Sequence, residues 1–388
     1  MSIIQESSSV WRLTRHFRYP LVLVALVSCE ANLLISRHAL AATGSTKFTW
    51  ITVEDVGNPA DPLNSGTVPG IGTVSGIGTV SYLYRISAYE VTNSQYVEFL
   101  NAVAKFDPHS LYSTFMSTIS SSGINRSGSD GSYVYTTKPG RDNNPVNQVD
   151  WYDAARFVNW LHNGKPTGTG AGTENGVYDL SLQSSNPAAI QRQAGAKFFL
   201  PTENEWYKAA YYDPTSGAGG GDNYWLYPTQ TNDPPYGDNP NALSTPDNTN
   251  VANIYRDGNF GGTYNNGYAA TQSQNFNVGQ NYLFDVGGYE LTSNHYGTKD
   301  QAGSVLEWLE TNAGVNRFVR GGGWGNGHEA TWSHYRLAIE TSRSDNLTGF
   351  RIASQVPEPP GMVLLVGLAI APLRRSQKHI TTRKSARI

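Results

Sequence analysis

Leu200-Pro201-Thr202-Glu203-Asn204-Glu205-Trp206, at residues 200–206, is the stretch on which the fold turns. A threonine followed three residues on by a glutamate is a capping box, in which each side chain accepts a hydrogen bond from the other residue's backbone N–H. The box leads into Trp206 and Ala209-Ala210, apolar residues that a helix can bury. Thr92-Asn93-Ser94-Gln95 carries the same signature, with Tyr96, Phe99, Leu100 and Val103 following at helical spacing. Asp150 can cap a third helix whose apolar members are Tyr152, Ala155, Phe157, Trp160 and Leu161. Each cap contributes about 1 kcal/mol.

Outside these helices the pattern is one of short strands, such as Tyr82–Ile86, joined by long Asn/Gly/Ser-rich loops at 164–195 and 213–285. With 23 Tyr, 9 Trp, 13 Phe, 40 Gly and 20 Pro in 388 residues, the chain is too aromatic to be disordered and too loop-rich for a helical bundle. Its only cysteine is Cys29, so no disulfide can order the loops, and a bound metal is a natural candidate for that task. Gly70-Ile71-Gly72-Thr73-Val74-Ser75 recurs as Gly76-Ile77-Gly78-Thr79-Val80-Ser81. A dinucleotide fingerprint would need a third glycine where Ser75 and Ser81 stand, and a helix after it. A duplicated loop or hairpin entering the next strand fits better.

Taken in order, six segments resemble the formylglycine-generating enzyme family, also called the sulfatase-modifying-factor domain. They are Tyr89-Glu90-Val91-Thr92-Asn93, Asn144-Pro145-Val146 through Trp151-Tyr152-Asp153-Ala154-Ala155, and the opening stretch at 200–206. Tyr296-Gly297 through Gly303-Ser304-Val305-Leu306-Glu307-Trp308 follows, then Val319-Arg320-Gly321-Gly322-Gly323-Trp324, then Gly349-Phe350-Arg351. The resemblance implies an α+β architecture, an elaborated C-type-lectin-like single domain sparse in regular secondary structure. It would fill residues 82–354, after a strand-and-loop lead-in at 42–81.

Enzymes of that family oxidise a substrate cysteine with two copper-binding cysteines placed shortly after the Arg-Gly-Gly-x-Trp motif. Here that stretch is Gly325-Asn326-Gly327-His328-Glu329-Ala330-Thr331-Trp332-Ser333-His334-Tyr335-Arg336, with no cysteine. Cu(I) prefers soft thiolates, so no copper is expected and formylglycine synthesis is not the expected activity. Ser304 and Leu306 also stand where the family pattern has Asn and Trp. His328, Glu329 and His334 do not have the His-Glu-x-x-His spacing of a metalloprotease. They are read instead, with Trp324, Asn326, Thr331, Trp332 and Arg336, as the lining of a candidate ligand groove. Arg320 and Arg351 are expected to make internal ion pairs or carbonyl contacts.

Calcium is the expected cofactor, in a structural role. Asp300, Gly303, Val305 and Glu307 match a calcium site of the family position by position. If the segment is extended, 303, 305 and 307 alternate so that their oxygens converge on one side, a hard shell of the kind calcium takes. A second family calcium site maps onto Asn253 and the carbonyl of Ile254, then Asn266 and the carbonyl of Tyr268.

The ends carry addresses. Arg12, Arg15 and Arg18 precede an apolar stretch, Tyr19 to Ser28, which is shorter than the roughly 20 residues a membrane span needs. With the small-x-small site Ala39-Leu40-Ala41 it makes residues 1–41 a signal peptide, while Leu26-Val27-Ser28-Cys29 leaves lipidation at Cys29 open as an alternative. Pro357-Glu358-Pro359, an apolar run from Gly361 to Leu373 and Arg374-Arg375 make residues 356–388 resemble the PEP-CTERM sorting signal of bacteria that secrete exopolysaccharide. That signal implies a sorting peptidase of the exosortase type, transient membrane association through the tail, and a destination in the cell envelope, surface or matrix. The net charge is −3 although residues 374–388 carry six Lys/Arg and no Asp/Glu, so the body of the chain is acidic and unsuited to nucleic acid. The expected function is a non-catalytic binding or structural domain for a peptide or glycan ligand. The alternative is an enzyme of the same superfamily using non-thiol chemistry in the groove.

Overall fold

All three capped helices form where the sequence places them. Helix α1, Asn93–Val103, begins at Thr92, whose Oγ1 accepts from Gln95 N at 3.3 Å while Gln95 Oε1 accepts from Thr92 N at 2.9 Å. Helix α2, Trp151–His162, is capped by Asp150 with Asp153 closing the box, and α3, Glu203–Tyr211, by Thr202 with Glu205. The apolar face of α1 is buried as expected. In α2 every residue from Trp151 to Leu161 is buried, Asp153, Arg156 and Asn159 included. A helix enclosed on all sides belongs to the core, and its polar side chains must find partners there.

Those partners order the first long loop. Asn159 Nδ2 donates to Thr173 O at 2.7 Å and to Tyr178 O at 2.8 Å, and Asn159 Oδ1 accepts from Tyr178 N at 2.9 Å. Arg156 reaches Glu174 and Gln183. Polar side chains of a buried helix thus hold 164–195, where a metal was the expected staple. Within 213–285 the same device recurs: Asn250 Oδ1 accepts from Thr229 Oγ1, Asn253 Nδ2 donates to Tyr282 O, and Gln272 Nε2 donates to Gly237 O.

The computed structural model describes residues 47–63, 66–68, 72–74, 76–215, 221–241, 245–257 and 266–357. The signal-peptide region and the sorting tail beyond Pro357 lie outside the described residues. Every element named here belongs to one compact unit that begins at Trp50. The expected strand appears as Tyr84–Ser87, the second strand of an antiparallel four-stranded sheet ordered Trp50–Val53, Tyr84–Ser87, Ala353–Gln355, Phe198–Phe199. Gly66–Val68 pairs antiparallel with Gly72–Val74, which belongs to the first copy of the duplicated segment. A second four-stranded sheet runs Leu337–Glu340, Asn316–Arg320, Leu306–Ala313, Thr348–Gly349, the last pair parallel. Among the described residues, four α-helices, three 3-10 turns and many short strands in long loops make an α+β fold sparse in regular structure, as the resemblance implied.

Candidate functional site

The two motif-rich segments meet at the edge of the second sheet. Gly303 N donates to Gly321 O at 2.7 Å, Ser304 N to Asn253 O at 2.9 Å and Trp324 N to Ser304 O at 2.9 Å. A Cβ on Gly303 would lie 2.2 Å from the Asn253 carbonyl oxygen and its φ is +84°, so only glycine fits. Asp300 and Ser304 also have positive φ, 61° and 65°. The segment is therefore coiled rather than extended until the strand begins at Leu306. The alternation that would have aimed the oxygens of 303, 305 and 307 to one side does not exist. Val305 instead packs its side chain against Tyr282, Leu283 and Trp324.

Glu307 is fully buried and committed. Its Oε2 accepts from Arg351 Nε at 2.5 Å and from Trp206 Nε1 at 2.7 Å, and its Oε1 from Arg351 Nη2 at 2.8 Å. Arg351, also without exposure, spends its remaining donors on the carbonyls of Ser87, Ala88 and Lys299. A carboxylate so engaged does not fit as the calcium ligand expected from the family pattern.

A second carboxyl group nearby has the opposite character. Glu90 is 2 % exposed and neither of its oxygens has a hydrogen-bond partner. Burial pushes it well above the usual carboxylate range and the charge of Asp300 adds to the push. Asp300 is itself raised to about 6, chiefly by burial, despite the N–H of Gly287 donating to it at 2.5 Å. It lines a cavity of about 10 Å³ with Tyr289, Asn294, Thr298 and Gln301, room for roughly one water-sized guest. Burial disfavours the charge on both carboxyl groups and the Glu90 oxygens have no partner, so the arrangement fits either a protonated Glu90 or a bound cation. Among the described residues no cluster of three His, Cys, Asp or Glu side chains is arranged around a metal.

The second expected calcium set is not brought together. Tyr255 pairs with Tyr268 and Asp257 with Asn266, so Asn266 lies four residues along the ladder from Asn253, about 13 Å at strand spacing. The Ile254 carbonyl accepts from Ala269 N and that of Tyr268 from Thr271 and Gln272 N–H groups. Asn266 is exposed and its Oδ1 accepts from Gln274 Nε2.

The expected groove is largely a packed wall. Trp324 is 5 % exposed, stacks on Tyr282 and donates to Asn346 O. Thr331 is fully buried, and His328 is buried against Tyr227 and Trp332 with its Nδ1 3.4 Å from Glu329 Oε2. Arg336 is an ion-pair residue: it and Arg320 both pair with Glu203, buried in the first turn of α3. Burial alone would raise the Glu203 carboxyl, but the two guanidiniums outweigh it and hold it below its ordinary value. Arg320 and Arg351 are thus the internal ion-pair residues expected of them. Only Glu329 and His334 of the eight are exposed; Asn326 and Trp332 are half-buried, and the Arg336 side chain is covered in its ion pair. Glu90 and the aromatic stack above Trp324 are the features that sequence reasoning passed over.

An α+β domain whose interior is pinned by buried Glu–Arg pairs, with the loop-borne motifs gathered at one sheet edge, is of the formylglycine-generating type. The family model described as the sulfatase-modifying factor enzyme 1-like domain matches residues 79–356, and the chain belongs to that family. No curated protein matches the chain. Among solved structures, Treponema denticola variable protein 1 is similar at 20 % identity, covering 81 % of this chain and 98 % of its own, with a TM-score of 0.41. CarF is similar at 17 % identity over 80 % of this chain and 99 % of its own, with a TM-score of 0.41. PvdO from Pseudomonas aeruginosa is 17 % identical over 80 % of this chain and 92 % of its own, with a TM-score of 0.38.

Proposed function

We propose that this chain is an exported bacterial envelope protein whose sulfatase-modifying-factor domain binds a ligand or builds structure without catalysing cysteine oxidation. The observation that supports it most is the stretch 325–336, which follows the Arg-Gly-Gly-x-Trp motif without a thiol to hold copper. His328, Thr331 and Arg336 in that stretch serve packing and ion pairs rather than an open reaction centre. The direct test is a peptide and glycan array probed with the full chain. Selective retention of one ligand class is expected, and no binding to any class would contradict a binding role.

Export rests on the N-terminal basic-apolar-small pattern, and envelope display on the Pro-Glu-Pro tail. No helix among the described residues is long and apolar enough to cross a membrane. In a host with an exosortase-type peptidase, intact-mass measurement of the surface protein should show loss of the residues after roughly Pro357-Glu358-Pro359. A surface protein retaining Arg374–Ile388 would contradict the sorting role.

Calcium remains the proposed structural ion, held through Asp300 and Glu90 rather than Glu307. Bound there, a divalent cation would favour the charged forms that burial disfavours in both groups. A ligand that binds only the folded state stabilises by about 2.7 kcal/mol at a hundredfold excess over Kd. Calcium is therefore expected to raise the Tm of the full chain by several degrees, and chelator to reverse the gain. Glu90→Gln should abolish that response and the exposed-site control Glu340→Gln should retain it. Equal calcium responses of the two variants, or none in the unsubstituted chain, would leave Glu90 holding a proton instead.

A further inference from the structure

We propose that the surface around Phe276 is a binding platform for an uncharged polysaccharide chain. Phe276 is 57 % exposed, leaving in solvent a ring whose burial would contribute about 1.5–3 kcal/mol. It is also held in a fixed attitude. Its ring lies parallel to that of Tyr282 at 5.4 Å and 17°, and to Trp324 at 6.1 Å and 13°. Tyr282 stacks on Trp324 at 4.6 Å and 8°, and Tyr268 tilts against all three rings. Tyr282 and Trp324 are buried, so the stack has a rigid base and a solvent-facing top. Val278, 79 % exposed, adds a second apolar contact two residues on.

The surroundings select the ligand's chemistry. Asn266, Gln274, Asn275 and Asn277 are exposed around the ring. Each amide can both donate and accept, and the bonds they make locally use only part of that capacity: Gln274 Nε2 donates to Asn266 Oδ1, and Asn277 Oδ1 accepts from Gly279 N. No Asp, Glu, Lys or Arg occurs between Asp257 and Asp285, in a chain with 28 Lys/Arg and 31 Asp/Glu. An exposed aromatic ring bordered by amides, in a segment of chain without charged residues, matches a pyranose ring, which offers a C–H face for stacking and hydroxyls for amide pairing. An anionic polymer would find no counter-charge in this segment.

The proposal rests on the reading of the domain as a binding module and adds a ligand class and a location. It displaces the stacking role from Trp324, which is the base of the stack, to Phe276 at its top. The test is affinity electrophoresis of the full chain through gels containing dextran, laminarin or hydroxyethylcellulose, with alginate as the charged control. At least one neutral polymer should retard the chain, and Phe276→Ala should weaken that retardation about tenfold, or roughly 1.4 kcal/mol. Phe276→Trp should preserve it. Phe115→Ala, which removes an equally exposed phenylalanine in the turn Phe115–Thr118, should leave it unchanged. Melting curves of the variants confirm that each is folded. Retardation that survives Phe276→Ala, or alginate retarding as strongly as the neutral polymers, overturns the proposal. Failure with every neutral polymer overturns it too, while peptide retention on the array would then leave the binding-module reading standing.

Discussion

Glu307→Gln is expected to destabilise the fold by about 3–5 kcal/mol, the range for removing one partner of a buried ion pair. The amide keeps the side chain's shape and can still accept from Trp206 Nε1, which bonds the carboxylate at 2.7 Å. What it removes is the charge opposite Arg351, a guanidinium with no solvent exposure whose other partners are the neutral carbonyls of Ser87, Ala88 and Lys299. The loss should register as a lower urea midpoint with little change in the slope of the transition. Because the penalty comes from the stranded cation, Glu307→Gln combined with Arg351→Met should cost less than the two single losses added together. A double-mutant cycle measures that coupling. Additive losses would mean that Glu307 and Arg351 act independently, against the bidentate geometry.

Glu203→Gln should rank with it, because one carboxylate serves two cations. Arg320 Nε donates to Glu203 Oε1 at 2.8 Å, Arg336 Nε to the same oxygen at 2.7 Å, and all three side chains are at least nine-tenths buried. Again about 3–5 kcal/mol is expected, and here pH supplies a second readout. Burial tends to raise Glu203 and Glu205, but the guanidiniums (Arg320 and Arg336 on Glu203, Arg192 on Glu205) prevail and lower both. For a carboxyl depressed in the folded state, the unfolded chain takes up the proton first as pH falls. The stabilisation is therefore complete above the ordinary glutamate value of about 4.3 and is lost as pH drops through the lower folded values. Thermal scans should show Tm falling below about pH 4.3, less steeply for Glu203→Gln than for the unsubstituted chain. Parallel profiles would remove Glu203 from the acid response.

The helices were legible because their signals are local. Thr92, Asp150 and Thr202 each declare a helix within four residues, and the structure starts α1, α2 and α3 there. What those helices would be buried against was not local. Nothing near Asn159 announces that its amide will hold Thr173 and Tyr178, so the loop they belong to looked in need of a metal. The family order of motifs gave the α+β architecture, and the ion-pair roles of Arg320 and Arg351 followed from it. Their partners did not, because Glu307 was assigned to calcium when its nearest cation lay 44 residues on.

Strand alternation misled at 303–307 for a specific reason. Left-handed backbone at Asp300, Gly303 and Ser304 breaks the period of two before the strand begins. The orphaned oxygens of Glu90 were invisible too, since the charges that act on that side chain, Asp300 and Arg351, lie far along the chain. Phe276 carried a signal that went unused, a phenylalanine in a long run without charge.

The proposal that this member of the family does not oxidise cysteine is open to a direct test. The most direct measurement incubates the purified full chain with copper, oxygen and a cysteine-containing sulfatase-type peptide, and reads the peptide by mass spectrometry. The peptide should be recovered without formylglycine at any copper loading. Formylglycine formed in proportion to the amount of protein would contradict it.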